Sequence, residues 1–334
     1  MLAKDISFII PVYNRPDEIN DLLSSFVNLK GNKDFEILII EDGSDINCSD
    51  IINVFLGKLN ISYFYKENSG PGDSRNYGMK KAKGKYFIIL DSDCILPENY
   101  LNRLINNLND NFSECFGGVD DSHKTFNSFQ KAVSFSMTSL ITTGHIRGGK
   151  YSKKFQPRSF NMGISKKAFE MSNGFGKIHP GEDPDLSIRL NKLGIKTHLY
   201  SDVKVFHKRR ISAYTFFKQV YKFGVARIIL NNWHTDTKRI AYWFPSFFSV
   251  FTTISILLHL FKIDSLCLIL FFIYMTIVFI YSSVKNNIFI GFISIITTLI
   301  QFFGYGYGFL KSFILVKLNK NKKMEDIFPK MFFK

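Results

Sequence analysis

Tyr86-Phe87-Ile88-Ile89-Leu90-Asp91-Ser92-Asp93 runs five apolar residues straight into two carboxylates two positions apart. An unbroken apolar run of this length reads as a strand buried on both faces, and side chains at i and i+2 of an extended chain point the same way. Asp91 and Asp93 are therefore expected side by side off the strand's carboxyl end, offering hard oxygen ligands to a divalent cation such as Mg²⁺ or Mn²⁺. Asp and Ser also favour plain turns, so the strand in front is what gives the pair its weight.

The pattern repeats upstream. Residues 6–12 are apolar on both faces, residues 17–29 carry apolar side chains at helical spacing, and residues 35–40 are apolar again. That is a β-α-β unit on a buried parallel sheet. Residues 61–65, 72–83 and 86–90 continue the alternation, which predicts an α/β, doubly wound domain with its ligand at the carboxyl ends of the strands. Asn14-Arg15, Glu41-Asp42-Gly43-Ser44 and Asp91-Ser92-Asp93 each follow a strand, so three polar clusters converge on one edge. The loop Asn68-Ser69-Gly70-Pro71-Gly72-Asp73-Ser74-Arg75-Asn76 is neither GxxxxGK[ST] nor GxGxxG, which argues against an ATPase or a dinucleotide-dependent dehydrogenase. Its Arg75 either meets a phosphate or holds an acidic strand-end residue.

Composition divides the chain. With 334 residues, 46% hydrophobic and 21% charged, it is neither disordered nor a disulfide scaffold. Residues 241–316 contain only four charged side chains, Lys262, Asp264, Lys285 and Lys311. The uncharged runs between them are each close to the ~20 residues a membrane-crossing helix needs. The formal charge is +15, and residues 141–240 alone hold 20 Lys and Arg against 6 Asp and Glu. Such basic density beside apolar segments suits anionic lipid headgroups. No aromatic-basic RNA motif or zinc finger accompanies it, so nucleic acid is not an expected partner. Cys48, Cys94, Cys115 and Cys267 form no CxxC pair, which fits a reducing compartment, and no signal peptide is expected from the opening residues.

Phe8-Ile9-Ile10-Pro11-Val12-Tyr13-Asn14, Glu41-Asp42-Gly43-Ser44, Gly70-Pro71-Gly72 with Arg75-Asn76, and Asp91-Ser92-Asp93 stand in the order and spacing of family 2 glycosyltransferases. Gly163, Gly174-Phe175 and Gly181-Glu182-Asp183-Pro184-Asp185-Leu186 extend the resemblance. What it implies is a GT-A fold, a nucleotide-sugar donor with UDP favoured, a Mg²⁺ or Mn²⁺ cofactor and inversion at the anomeric carbon. Carried onto this sequence, Pro11 and Tyr13 would border the base, Asp42 would hydrogen-bond it, and Arg75 would help fix the donor site. Asp91 would lie near the ribose or the metal, and Asp93 on the metal. Asp183 of the Glu182-Asp183 pair would be the catalytic base, with Glu182 and Asp185 as alternatives. His207 would complete the metal and diphosphate site. Glu182, Arg209 and Arg210 would contact acceptor or diphosphate, the plain alternative for the two arginines, as for Lys208, being a solvated basic run. Asp73-Ser74 stands where many members carry small apolar residues, which leaves the donor open.

The expected layout is a GT-A domain over residues 1–210, an amphipathic interfacial helix and linker over 211–240, two or three hydrophobic membrane helices over 241–316, and a basic tail over 317–334. Core packing is the rival reading of the helix at 212–233. The expectation is a multi-pass enzyme of the inner or plasma membrane with its catalytic domain cytoplasmic, acting on a lipid-linked, polyprenyl-diphosphate-borne glycan among membrane lipids. A polyprenyl-phosphate glycosyltransferase is the nearest alternative, and a catalytically silent glycolipid-binding scaffold the alternative of another class. A processive synthase is disfavoured because the QxxRW motif is absent: Gln219 is followed by Val220-Tyr221-Lys222-Phe223.

Overall fold

A computed structural model describes residues 1–121, 126–144, 155–208 and 212–333. The chain divides into two compact units, one of residues 1–123, 148–208 and 333–334, the other of residues 124–147 and 209–332.

The first unit is built on a sheet. Among the described residues, strands β1 (Ile6–Val12), β2 (Glu36–Asp42), β3 (Ile61–Lys66), β4 (Tyr86–Leu90), β5 (Cys94–Ile95), β6 (Cys115–Asp121), β7 (Asn161–Ser165) and β8 (Thr197–His207) lie in the order β3-β2-β1-β4-β7-β6-β8-β5. Its helices are α1 (Pro16–Val27), α2 (Ser49–Phe55), α3 (Pro71–Lys81), α4 (Tyr100–Asp110), α7 (Lys166–Ser172) and α8 (Glu182–Lys192), while α5 (Ser128–Thr138) and α6 (Leu140–Thr143) belong to the second unit. The sheet is covered on both faces, as its uninterrupted apolar strands require. Phe8, Ile10, Ile37 and Ile39 pack with Leu22 and Phe26 of α1, Ile52 of α2 and Leu104 of α4. Ile9, Leu38, Ile40 and Ile89 face Met79 of α3, Phe169 of α7 and Leu186 of α8.

The strands anticipated from sequence, β1 to β4, are mutually parallel wherever they pair. The sheet as a whole is mixed, because β7 runs antiparallel to both β4 and β6. A parallel neighbour needs a crossover helix laid back over the sheet face. The connection from β6 to β7 sends its helices α5 and α6 to the second unit instead, so β7 enters from the opposite end. This is a GT-A arrangement.

The second unit is helical throughout its longer elements: α5, α6, α9 (Ala213–Trp233), α10 (Phe244–Leu260), α11 (Leu266–Lys285), α12 (Ile288–Leu318) and the short α13 (Met324–Ile327). Among the described residues three segments are long and apolar enough to cross a membrane, Ile240–Leu260, Leu266–Lys285 and Ile288–Leu318. With water excluded, hydroxyls and small residues join such helices. Ser136 of α5 bonds Thr297 and Thr298 of α12 at 2.7 and 3.1 Å, and Ser282 of α11 bonds Ser294 of α12 at 2.7 Å.

The face of α9 read as amphipathic is turned onto α12. Phe216 and Val220 pack with Val133 and Met137 of α5, with Ile300 and Tyr305 of α12 alongside. Glycines set the approach: a Cβ on Gly224 would stand 2.3 Å from the Tyr305 carbonyl oxygen and 2.7 Å from the Phe309 nitrogen. Gly224→Val is therefore expected to force α9 off α12 and to destabilise the chain by about 1–3 kcal/mol or more. Thermal unfolding in detergent would read this as a lowered midpoint, with Gly57→Ala as control, since nothing lies within 4 Å of a Cβ there.

Candidate active site

Off the carboxyl end of β4, the side chains of Asp91, Asp93 and His207 bring their ligand atoms within 4.8 Å of one another. Register explains the meeting. β5 pairs antiparallel with the end of β8, setting Cys94 opposite His207, so the residue before Cys94 is carried against the imidazole. His207 Nε2 lies 3.0 Å from Asp93 Oδ1, and its ring stacks on Phe160 with 4.9 Å between centroids. Arg15 Nη1 reaches the other Asp93 oxygen at 3.1 Å and Glu18 at 2.8 Å. Two carboxylates and an imidazole at this spacing fit a divalent cation that keeps coordination positions for water and substrate phosphate.

Arg75 ties this cluster to a second group of acids. It is 3% exposed, reaching Asp91 Oδ1 through Nη2 at 2.8 Å and Glu182 Oε1 through Nη1 at 3.0 Å. Of its two readings from sequence, the geometry displays the holding of acidic groups. The next residue, Asn76, clamps the backbone of Phe175, donating to its carbonyl and accepting from its N–H at 2.9 and 2.8 Å. The glycine-proline-glycine loop and the Gly174-Phe175 turn are thereby locked together, with the Phe175 ring under the Arg75 guanidinium.

Glu182 and Asp183 open α8 behind Gly181, whose φ of 128° favours glycine. Burial works to raise the Glu182 carboxyl, but His179 at 3.1 Å, Arg75 and a backbone N–H outweigh it and hold the acid well below the usual carboxylate range. Asp183 goes the other way. Its burial and the nearby charges of Glu182 and Asp91 push it up, against the pull of Arg158 at 3.6 Å and of Arg75. Two adjacent acids are thus separated in basicity by their surroundings, and the more basic of the two is Asp183. Asp185 is committed to Arg189 at 2.9 Å, and Arg189 also caps the carbonyls of Ser172 and Gly174.

On the β1 and β2 side, Pro11 is buried in β1 opposite Ile40, and Tyr13 stands 50% exposed just beyond the strand. Asp42 is buried and spoken for: Oδ1 accepts from Lys66 Nζ at 2.8 Å and from the Ser69 N–H at 3.0 Å, and Oδ2 from the Gly70 N–H at 2.9 Å. Here it organises the 68–70 loop. Its neighbour Glu41 accepts from the Cys48 N–H and from Tyr63 at 3.0 and 3.2 Å. Burial, and then the Glu41 carboxylate that both groups face, push the Cys48 thiol and the Tyr63 hydroxyl above their ordinary values.

Several contributors were not read from sequence. Lys66 could have been, since parallel register puts it directly across from Asp42. Arg158 and His179 carried no signal, lying in segments without periodicity. Phe333 was likewise hidden in the basic tail, yet it belongs to the sheet unit: its N–H donates to the Lys177 carbonyl at 3.2 Å and its ring lies 6.0 Å from that of His179. A Cβ on Gly70 would fall 2.2 Å from that ring, so only glycine leaves room for it. Lys208 pairs with Asp21 at 2.6 Å. Arg209 and Arg210 lie outside the described residues.

Residues 7–171 match the sequence model of the glycosyl transferase family 2. An uncharacterized glycosyltransferase of Rickettsia bellii is 41% identical over 96 residues, 29% of this chain and 14% of that protein. A poly(ribitol-phosphate) beta-glucosyltransferase of Bacillus spizizenii is 37% identical over 113 residues, 33% of this chain and 18% of that protein. The chain thus spans under a fifth of the length of these relatives. The solved mannosyltransferase of Pyrobaculum calidifontis, in complex with GDP-Man and Mn²⁺, superposes with a TM-score of 0.50 at 16% identity, covering 66% of this chain and 62% of that one, a likeness of fold. With the strand-end carboxylates, the Arg75 loop and the mixed sheet all inside or beside the matched stretch, residues 7–171 of the chain form a glycosyl transferase family 2 domain.

Proposed function

We propose that the protein is a membrane-anchored, inverting glycosyltransferase. It moves a sugar from a nucleoside diphosphate sugar, UDP being the favoured nucleotide, to a glycan acceptor held at the membrane on a polyprenyl diphosphate. The observation that carries this reading is the single guanidinium of Arg75 shared between Asp91, in the metal-ligating cluster, and Glu182, beside Asp183. It couples a diphosphate-side group to an acceptor-side group through one rigid contact.

In this reading the acceptor hydroxyl oxygen attacks the anomeric carbon from the face opposite the diphosphate. A C–O bond forms, the bond to the diphosphate oxygen breaks with its electron pair leaving on the nucleotide, and the hydroxyl proton passes to Asp183. Asp91, Asp93 and His207 would hold Mg²⁺ or Mn²⁺, which supplies charge neutralisation to the departing diphosphate. Tyr13, half exposed just beyond β1, offers a face for the base. The three apolar helices and the basic stretch before them support a site on the cytoplasmic side of an inner or plasma membrane. The Bacillus spizizenii relative, named as a poly(ribitol-phosphate) beta-glucosyltransferase, supports polysaccharide or glycan assembly as the setting.

The test is nucleoside diphosphate release from UDP-, GDP- and dTDP-sugars by the detergent-purified chain, with Mn²⁺ or Mg²⁺ and with or without a lipid extract. Metal-dependent release that rises with the extract is expected, and Asp93→Asn should cut the metal response by about tenfold or more. Stimulation by polyprenyl phosphate in place of the diphosphate-linked acceptor would select the polyprenyl-phosphate transferase instead. No release from any donor by folded protein would leave the silent scaffold.

A further inference from the structure

Arg227 stands within α9 at 8% exposure, its guanidinium 4.1 Å from the centroid of the Tyr242 ring. Its buried Nη1 has no hydrogen-bond partner among the described residues. Neither has the buried Oδ1 of Asn231, one helical turn further along the same face. A guanidinium is charged at every accessible pH, and an aromatic face replaces only part of the hydration it gives up. The unmatched guanidinium nitrogen is a donor deficit that an anion with several acceptor oxygens would remove, and the unmatched Asn231 oxygen leaves that amide free of any bond that would hold its oxygen, rather than its N–H, toward such an anion.

Position narrows the anion. Tyr242 packs with Ile228 and Phe309, and Trp243 and Phe313 lie against them. Tyr242 and Trp243 immediately precede α10, within the first turns of the segment Ile240–Leu260 that is able to cross a membrane. Tyr and Trp at the start of a span sit at headgroup depth. The sequence leading to this span is predominantly basic: residues 209–240 contain seven Lys and Arg and one acid, Asp236. Lys317, in the last turn of α12, lies over the ring of Phe313, which belongs to the same aromatic group.

We propose that Arg227 and Asn231, over the Tyr242 ring, bind the diphosphate of a lipid carrier, with the carrier's hydrocarbon chain lying along the apolar helices. The guanidinium donates to phosphate oxygens, and Asn231, turned about its last torsion, adds its amide N–H. This deepens the lipid-linked acceptor of the proposed function and rests on that reading for its biological meaning, though not for its test.

The test is a binding titration that needs no turnover. The full chain in neutral detergent micelles is titrated with geranylgeranyl diphosphate, inorganic pyrophosphate and geranylgeraniol, followed by the fluorescence of its two tryptophans, Trp233 and Trp243. Saturable binding of the prenyl diphosphate is expected, weakened roughly tenfold or more by Arg227→Gln, less by Arg227→Lys, and also weakened by Asn231→Leu, which serves if Arg227→Gln does not fold. Equal binding by Arg227→Gln and by Asn231→Leu overturns the site. Equal binding of the prenyl alcohol, or of pyrophosphate, overturns the lipid diphosphate as its ligand. Binding lost in Arg227→Gln while no donor is ever turned over supports the site and removes the transferase reading; sugar transfer with binding unchanged does the reverse.

Discussion

Asp183→Asn is expected to lower turnover by about 10²–10⁴-fold while leaving donor affinity close to that of the parent chain, because general-base assistance in this range is what the lost proton acceptor supplies. The substitution keeps size and shape beside Arg158 and removes only the basic oxygen. The check is kcat for transfer, measured together with the Kd of the nucleotide sugar. Loss of both would mean a damaged donor pocket, and loss of neither would remove Asp183 from the mechanism. The pH dependence follows from the same site. A base must be deprotonated, so the parent's kcat should fall as pH is lowered, with a midpoint above the ordinary aspartate value because burial raises this carboxyl. Glu182 cannot supply that limb, being held below the usual carboxylate range by His179 and Arg75. In the asparagine variant the limb should be gone from the residual rate.

Arg75→Met is expected to destabilise the chain by up to about 3–5 kcal/mol, since it strips a buried carboxylate of its guanidinium partner and leaves Glu182 only His179 and one backbone N–H. Arg75→Lys should restore little, because one ammonium cannot span Asp91 and Glu182 as two guanidinium nitrogens do. Thermal or denaturant unfolding of the detergent-solubilised chain checks both, and parent-like midpoints would show the two acids to be satisfied without Arg75. The sign with pH is fixed by Glu182. Its folded carboxyl resists protonation more than the unfolded one, so its share of stability is present above the ordinary glutamate range and is lost as pH falls through and below it. That share should vanish in Arg75→Met to the extent that Arg75 creates it.

The strands that hold the site were legible because each is an uninterrupted apolar run ended by a polar cluster. The run from Tyr86 to Asp93 needed only the two-residue period of a strand to place its carboxylates. β7 was hidden because Asn161-Met162-Gly163-Ile164-Ser165 is short, and its antiparallel sense depends on where α5 and α6 go, which no local pattern records. The Glu182-Asp183 pair was visible as a motif. What divides the two acids is contributed by His179, Arg75 and Arg158, which reach them from elsewhere in the chain. The helix at 213–233 illustrates a different limit. Its periodicity fits an interfacial helix and a packed one equally, and only the clearance around Gly224 shows that α12 covers that face.

The excursion between β6 and β7 bears on how such a chain is inherited and handled. Residues 124–147 join the apolar helices, so the two units are interleaved along the gene and cannot be exchanged as successive cassettes. A fragment stopped before α9 would keep α5 but strip Val133, Ser136 and Met137 of their partners on α9 and α12. Soluble production of the catalytic half therefore calls for excising that internal stretch as well as trimming the distal one. A recombination event that exchanges the helical unit must carry both of its stretches of chain at once, which ties the inheritance of one to that of the other.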